Sequence, residues 1–324
     1  MKNCVLKTLL ILSIILSFSV KAAGAIPASA EQTARETGSV STTDIKESEA
    51  DIIKRFSLKN KFQRSPEAQI RTFYKNYVKY SEQNNEEKLK SLYSDVFINN
   101  DGFNKNTVFK MMEQSIDAYK DITYNSNIEN IFAEDNYAMV DVHEFAMGST
   151  TKKNNEIDDY GLITSDIYYT DYLRKEGNKW KIIATVIKSE KVSLKYGEAK
   201  SMPVDITAPK LVPENCEYDV KVKIDSPDGV LVIGSIVNDR IVFPHSQKKD
   251  VFKSVKSDVL ERVVRANNNG NNEYVSATIG ITRASIEPPK VMFKMTGMAF
   301  VMSRVNIINE NKNTDIKELV NETK

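Results

Sequence analysis

Between residues 65 and 119 the apolar positions recur at helical spacing. Ile70, Phe73, Tyr74, Tyr77 and Val78 stand at i, i+3, i+4, i+7 and i+8, which lays one apolar stripe along a helix. Ser65-Pro66-Glu67 opens it. Ser is a good N-cap, Pro suits the first helical position, and Glu in the first turn complements the helix dipole. A second short helix is expected after Asn85, with Leu89, Leu92 and Tyr93 inward. Asp101-Gly102 reads as a turn. A third helix is predicted from about Thr107 to Tyr119, with Val108, Met111, Met112, Ser115, Ile116 and Tyr119 on one side.

From Ile122 the period changes to two. Ile122 to Phe132 and Tyr137 to Met147 read as strands around an Asp135-Asn136 turn, and residues 148–157 as a polar loop. Ile163 to Val192 then holds two β-rich runs around Glu176-Gly177-Asn178, and Trp180, the one Trp of the chain, opens the second run. This is a long antiparallel hairpin, the spine of a sheet, whose strands run on to about Lys195. Helices first and then an antiparallel meander is an α+β order.

Residues 197–216 carry Pro203, Pro209 and Pro213 without periodicity and read as a linker. Glu217 to Ile224 and Val230 to Val237 are strands around Ser226-Pro227-Asp228-Gly229. Asn238-Asp239 is expected to turn into Arg240 to Phe243. Asp250 to Arg265 fits either period, and its length with Phe252, Leu260 and Val264 favours a helix. After the Asn267 to Asn272 loop, Glu273 to Thr282 and Val291 to Ile308 read as strands.

Three helices followed by a strand meander, with Gly177-Asn178-Lys179-Trp180-Lys181-Ile182 on a late strand, resemble the nuclear-transport-factor-2-like superfamily, which includes ketosteroid-isomerase-like and SnoaL-like domains. The resemblance covers about residues 65–196. It implies a curved sheet wrapped on helices into a cone with a cavity, with Trp180 packed on the helices. It also implies a homodimer through the open sheet face. The expected fold class is therefore α+β: a cone-shaped helix-plus-curved-antiparallel-sheet domain, then a small β-rich α+β domain at 217–308. The isomerase residues of the family have no identifiable match here.

Both ends are polar apart from a leader. Residues 1–30 join Lys2 and Lys7, an apolar run from Thr8 to Val20, and small residues at Ala23-Gly24-Ala25 and Ala28-Ser29-Ala30, the parts of a secretory signal. The run is shorter than the roughly 20 residues that a spanning helix needs. A secreted or periplasmic protein is expected, with no further span after signal removal. Residues 31–64 read as a polar linker, within which Ile45, Ile52, Ile53 and Phe56 approach helical spacing, and 309–324 read as a polar tail.

Composition narrows the partners. The chain has 45 basic and 44 acidic residues, net +1. Removing the leader takes Lys2, Lys7 and Lys21, so 42 basic face 44 acidic, net −2. Nucleic acid as the main partner is disfavoured, because phosphate binding needs clustered excess Lys and Arg. Of the two Cys, Cys4 lies in the leader and Cys216 would stand alone, so no intramolecular disulfide or cysteine zinc site is expected. No cofactor is implied, since phosphate loops, Rossmann, zinc-protease and nucleophile-elbow motifs are all missing from the sequence.

What remains are side-chain constellations. Asp141 and His143, two apart on one strand, share a face, and a carboxylate beside a His is the minimum for acid–base work. Asp166, Tyr168 and Tyr172 share a face of the next strand and could complete such a site. The opposing reading puts Asp141 and His143 toward solvent while Val140 and Val142 face the core. Tyr74, Tyr160, Tyr169, Tyr172 and Trp180 are candidates to line an apolar pocket, against simple β-propensity and packing. Met292, Met295, Met298 and Met302 suit core filling better than Cu(I), since three-residue spacing alternates strand faces. His245 and Cys216 carry no motif. The leading expectation is an exported binding protein for a partner protein or a small apolar ligand. The alternative is an isomerase- or cyclase-like enzyme using an Asp/His/Tyr set.

Overall fold

A computed structural model describes residues 65–83, 85–226, 229–244, 252–255, 258–287 and 290–308. The leader, the 31–64 segment, His245 and the 309–324 tail lie outside them. Helix α1 (Pro66–Glu82) begins as its sequence dictates, with the Ser65 hydroxyl accepting from the Ala68 amide, a cap worth about 1 kcal/mol. Helix α2 (Glu86–Ser91) is capped by Asn85 and helix α3 (Lys105–Ala118) by Asn104. Between them lies β1 (Tyr93–Asn99), which the helical spacing had hidden. Tyr93 is inward, but as part of a strand.

The meander follows as β2 (Tyr119–Glu134), β3 (Tyr137–Asn154), β4 (Asp159–Glu176) and β5 (Lys179–Gly197). β3 continues through the stretch expected to be a polar loop. Its Ser149 pairs with both β2 and β4, Thr150 pairs with β2 and Gly148 with β4, and those ladders outweigh local polarity. β1 pairs with β5 in parallel. The inner face of this sheet buries Val140, Val142, Ile163, Ile167, Leu173, Ile182 and Leu194 against the helices.

Beyond Gly197 come a short 3-10 turn, β6 (Val204–Thr207), β7 (Leu211–Pro213), β8 (Glu217–Ile224), β9 (Val230–Arg240), β10 (Lys253–Ser254), β11 (Val259–Arg265), β12 (Glu273–Glu287) and β13 (Lys290–Ile308). The helix favoured at 250–265 is instead β10 and β11. Val259, Val263 and Val264 are β-branched, and β8 offers them a seven-residue ladder. The Asn238-Asp239 turn is not formed, because both residues pair with β12. The 197–216 stretch is not a free linker either: Val204, Ile206 and Val212 are buried in a second core.

One sheet carries both cores, in the order β10-β9-β12-β13-β5-β4-β3-β2. β13 pairs with β5 from Gly297↔Gly197 to Ser303↔Lys191. Gly197 has φ +55°, and a Cβ there would strike the Thr296 carbonyl, so the join requires glycine. The helices cover one face of the β1–β5 half. A second sheet, β11-β8-β6, covers the opposite face of the β9-β12-β13 half. Among the described residues no element covers the outer face of β2–β4. Among the described residues no helix is long and apolar enough to cross a membrane.

Candidate functional site

Strand alternation sorts the polar groups of the sheet onto two faces. On the inner face Glu144 and Asp171 are fully buried. The Tyr74 hydroxyl of α1 donates to Asp171 Oδ2 at 2.8 Å, and Thr185 donates to its Oδ1 at 2.7 Å. Ser126 donates to Glu144 Oε2 at 2.7 Å, and the Tyr169 hydroxyl stands 3.5 Å from the same oxygen. Burial, then the charge of Asp171, holds the Tyr74 hydroxyl well above the usual tyrosine range. Tyr93 and Tyr169 are raised chiefly by burial as well. All three stay neutral, and Tyr74 and Tyr169 meet the buried carboxylates through their hydroxyls.

Farther along that face lies a second buried group. Arg304 of β13 pairs with Asp101 of the β1–α3 turn, with Nη1 donating to Oδ2 at 3.1 Å. Burial opposes the guanidinium charge, but Asp101 overrides it and holds Arg304 above its usual value. Asn272 donates to Asp101 Oδ1 at 2.8 Å. The Tyr274 hydroxyl donates to Glu190 Oε2 at 3.0 Å, while Glu190 Oε1 is buried with no hydrogen-bond partner among the described residues. Burial pushes the Glu190 carboxyl up to about 8, against the pull of Arg304.

The outer face is different. His143 Nε2 lies 2.8 Å from Asp166 Oδ1, and the imidazole stacks on Tyr168 at 3.9 Å, nearly parallel. Asp141 Oδ1 accepts from Lys188 at 2.7 Å and from Thr170 at 2.6 Å. The Lys188 hydrogen bond, with that of Thr170, holds Asp141 below the usual carboxylate range. Cross-strand register makes this row: Asp141↔Thr170, His143↔Tyr168 and Phe145↔Asp166. Around it Phe132, Tyr137, Phe145, Met147 and Tyr172 are 39–59 % exposed.

The four catalytic candidates are thus brought together, but on the outer face of the sheet and not on the inner face beneath the helices. Val140 and Val142 took the inner phase of β3, which forces Asp141 and His143 outward. The pocket candidates divide. Tyr74 and Tyr169 are interior, and Trp180 is buried with its indole donating to Gln69 of α1 at 3.2 Å. Tyr172 joins the outer face, and Tyr160 is exposed with the Lys120 ammonium 4.2 Å from its ring. Met298 and Met302 pack in the first core while Met292 is exposed, so the methionines do not converge. Among the described residues no group of three His, Cys, Asp or Glu could hold a metal.

Sequence reasoning passed over Glu144, Asp171, Glu190, Asp101 and Arg304. Phase was the available signal for three of them. Glu144 falls in step with Val140, Val142 and Ala146, and Asp171 with Ile167, Tyr169 and Leu173. Glu190 likewise falls in step with Val192, Leu194 and Tyr196, and nothing local marked Asp101 and Arg304.

No protein-family model and no curated protein matches this chain. Solved structures do. A conserved protein from Planctomyces limnophilus is 16% identical, with TM-score 0.32, covering 37% of this chain and 92% of its own. A ketosteroid isomerase-like protein from Erwinia carotovora atroseptica is 13% identical, with TM-score 0.28, covering 37% and 92%. A hexachlorocyclohexane dehydrochlorinase from Novosphingobium barchaimii is 13% identical, with TM-score 0.30, covering 42% and 88%. These neighbours are nuclear-transport-factor-2-like cone folds, each matched to well under half of this chain.

Proposed function

We propose that this is an exported binding protein that works through the open outer face of its large sheet. The observation that carries it is the position of the Asp141, His143, Asp166 and Tyr168 row. His143 is already paired with Asp166 and stacked on Tyr168, and Asp141 is held by Lys188 and Thr170, on a face rimmed by exposed Phe, Met and Tyr side chains. A base needs a substrate held beside it and shielded from water. An open apolar rim around fixed polar groups suits a partner surface instead. Export rests on the leader pattern alone, and a cell-fractionation assay tests it. The face is tested by Phe145→Glu with Met147→Glu, measured by cross-linking of intact cells and mass spectrometry. Loss of every specific partner found with the wild-type chain is expected. Partners unchanged in the double variant would sink the outer-face reading.

A second reading, an acid–base enzyme inside the cone, draws on one observation: two buried carboxylates meet tyrosine hydroxyls there. Neighbours named as isomerase-like and dehydrochlorinase make proton abstraction the reaction class to assay. Tyr74→Phe and Asp171→Asn test it. Turnover of such a substrate that both variants abolish, with folding retained, would favour this reading over the first.

A further inference from the structure

We infer that the free edge of β6 is a strand-addition site for an extended peptide segment carrying a basic residue. The inference rests on the outer-face reading and narrows it to one place and one class of partner. β6 is the end strand of the smaller sheet and, among the described residues, pairs with β8 alone. The Asp225 amide donates to the Pro203 carbonyl, so residues 203 and 225 form a hydrogen-bonded antiparallel pair. Alternation then turns Asp205 and Thr207 toward β8. The N–H and C=O groups of Val204 and Ile206 point the other way. Consistent with this, the Ile224 amide opposite Val204 bonds away from β6, to Asp258.

That free edge looks onto the open outer face. β6 packs over β13, and its far side meets β5 and β4 across a cleft of about 160 Å³. Val204, Ile206 and Val301 supply apolar wall, with Phe145 at the far side and Thr164 and Ser193 between. Unpaired backbone groups beside an apolar cleft specify an extended backbone as occupant. Main-chain hydrogen bonds supply affinity and alternate side chains fill the cleft.

Charge sets the rest. The cleft is lined by two carboxylates, Asp166 and Asp205, against one ammonium, Lys191. Lys191 is engaged by Asp205 at 2.9 Å, and Asp166 spends only Oδ1, on His143. Asp166 Oδ2 has no hydrogen-bond partner among the described residues. A Lys or Arg of the incoming strand meets it there. The expected partner sequence is therefore β-branched residues alternating with others, with a basic side chain beside the cleft residue.

The probe is a random peptide display library selected on the full chain. Peptides of the stated pattern should enrich, and their amide-exchange signature should be slowed exchange at Val204 and Ile206. Val204→Pro removes one outward donor without touching a β8 bond, as edge strands allow. Ser193→Phe fills the cleft and leaves β6 intact, which keeps the test alive if the proline variant misfolds. Each should weaken the selected peptides at least about tenfold, and Asp166→Asn should weaken those with a basic residue. Failure to enrich any peptide, or peptides indifferent to both variants, overturns the β6 site. Peptides lost with Phe132→Glu but indifferent to Val204→Pro and Ser193→Phe overturn it too, while leaving the outer-face reading standing.

Discussion

The two faces of the large sheet hold similar residue types under opposite physics. On the inner face, Glu144, Asp171, Glu190 and Arg304 are all buried, and each is met by a tyrosine, hydroxyl or carboxylate. On the outer face, Asp141, His143, Asp166 and Lys188 are paired as closely, yet water reaches them. Distance is therefore a poor guide to energy here. A 2.8 Å bond from Tyr74 to Asp171 and one from His143 to Asp166 look alike. Losing a partner strands a desolvated group in the first case and a hydrated one in the second.

Substitutions can break that contrast. Arg304→Ala leaves Asp101 charged and buried, and should cost about 3–5 kcal/mol, the usual penalty for halving a buried pair. Urea unfolding gives the number, and a loss under about 1 kcal/mol would mean that water relieves Asp101. Asp171→Ala leaves the Tyr74 and Thr185 hydroxyls unpaired and should cost about 3 kcal/mol.

Glu190 sharpens the contrast through pH. Its carboxyl moves from the ordinary 4.5 to about 8 in the folded chain. Below pH 4.5 both states hold the proton and its contribution is complete. As pH rises toward 8 the unfolded chain releases the proton first, so stability falls. Tyr274, Arg304 and Asp101 face the same carboxyl. Unfolding midpoints of the wild type should decline from pH 5 to 8 more steeply than those of Glu190→Gln, and parallel curves would refute the assignment. Smallest of all, His143→Ala and Asp166→Ala should each shift stability by less than about 1 kcal/mol, measured by the same unfolding.

Much of the first unit is legible in sequence because local rules suffice there. Ser65, Asn85 and the Ile70–Val78 stripe announce helices before any tertiary contact forms. The Trp180 hairpin carries its own turn at Gly177. β1 is hidden because Tyr93 and Phe97 are also helically spaced, and only the parallel ladder to β5 decides. β11 is misread for the same reason, with β8 deciding. The outer row was legible as a cluster, since Asp141 with His143 and Asp166 with Tyr168 follow strand period. Its face was decided by Val140 and Val142. The Asp101–Arg304 pair spans 203 residues in sequence, and no local pattern encodes such a meeting.

The pairing of β13 has a consequence for how the chain is made. It is the last strand among the described residues, yet it pairs with β5, β7 and β12 and lends side chains to both cores. A ribosome delivers residues in order, amino terminus first. While β13 is still unsynthesised, the edge of β5 stays uncovered and Asp101 lacks its arginine. The β2–β5 meander can pair without it, but the two cores are joined only when this closing zipper arrives.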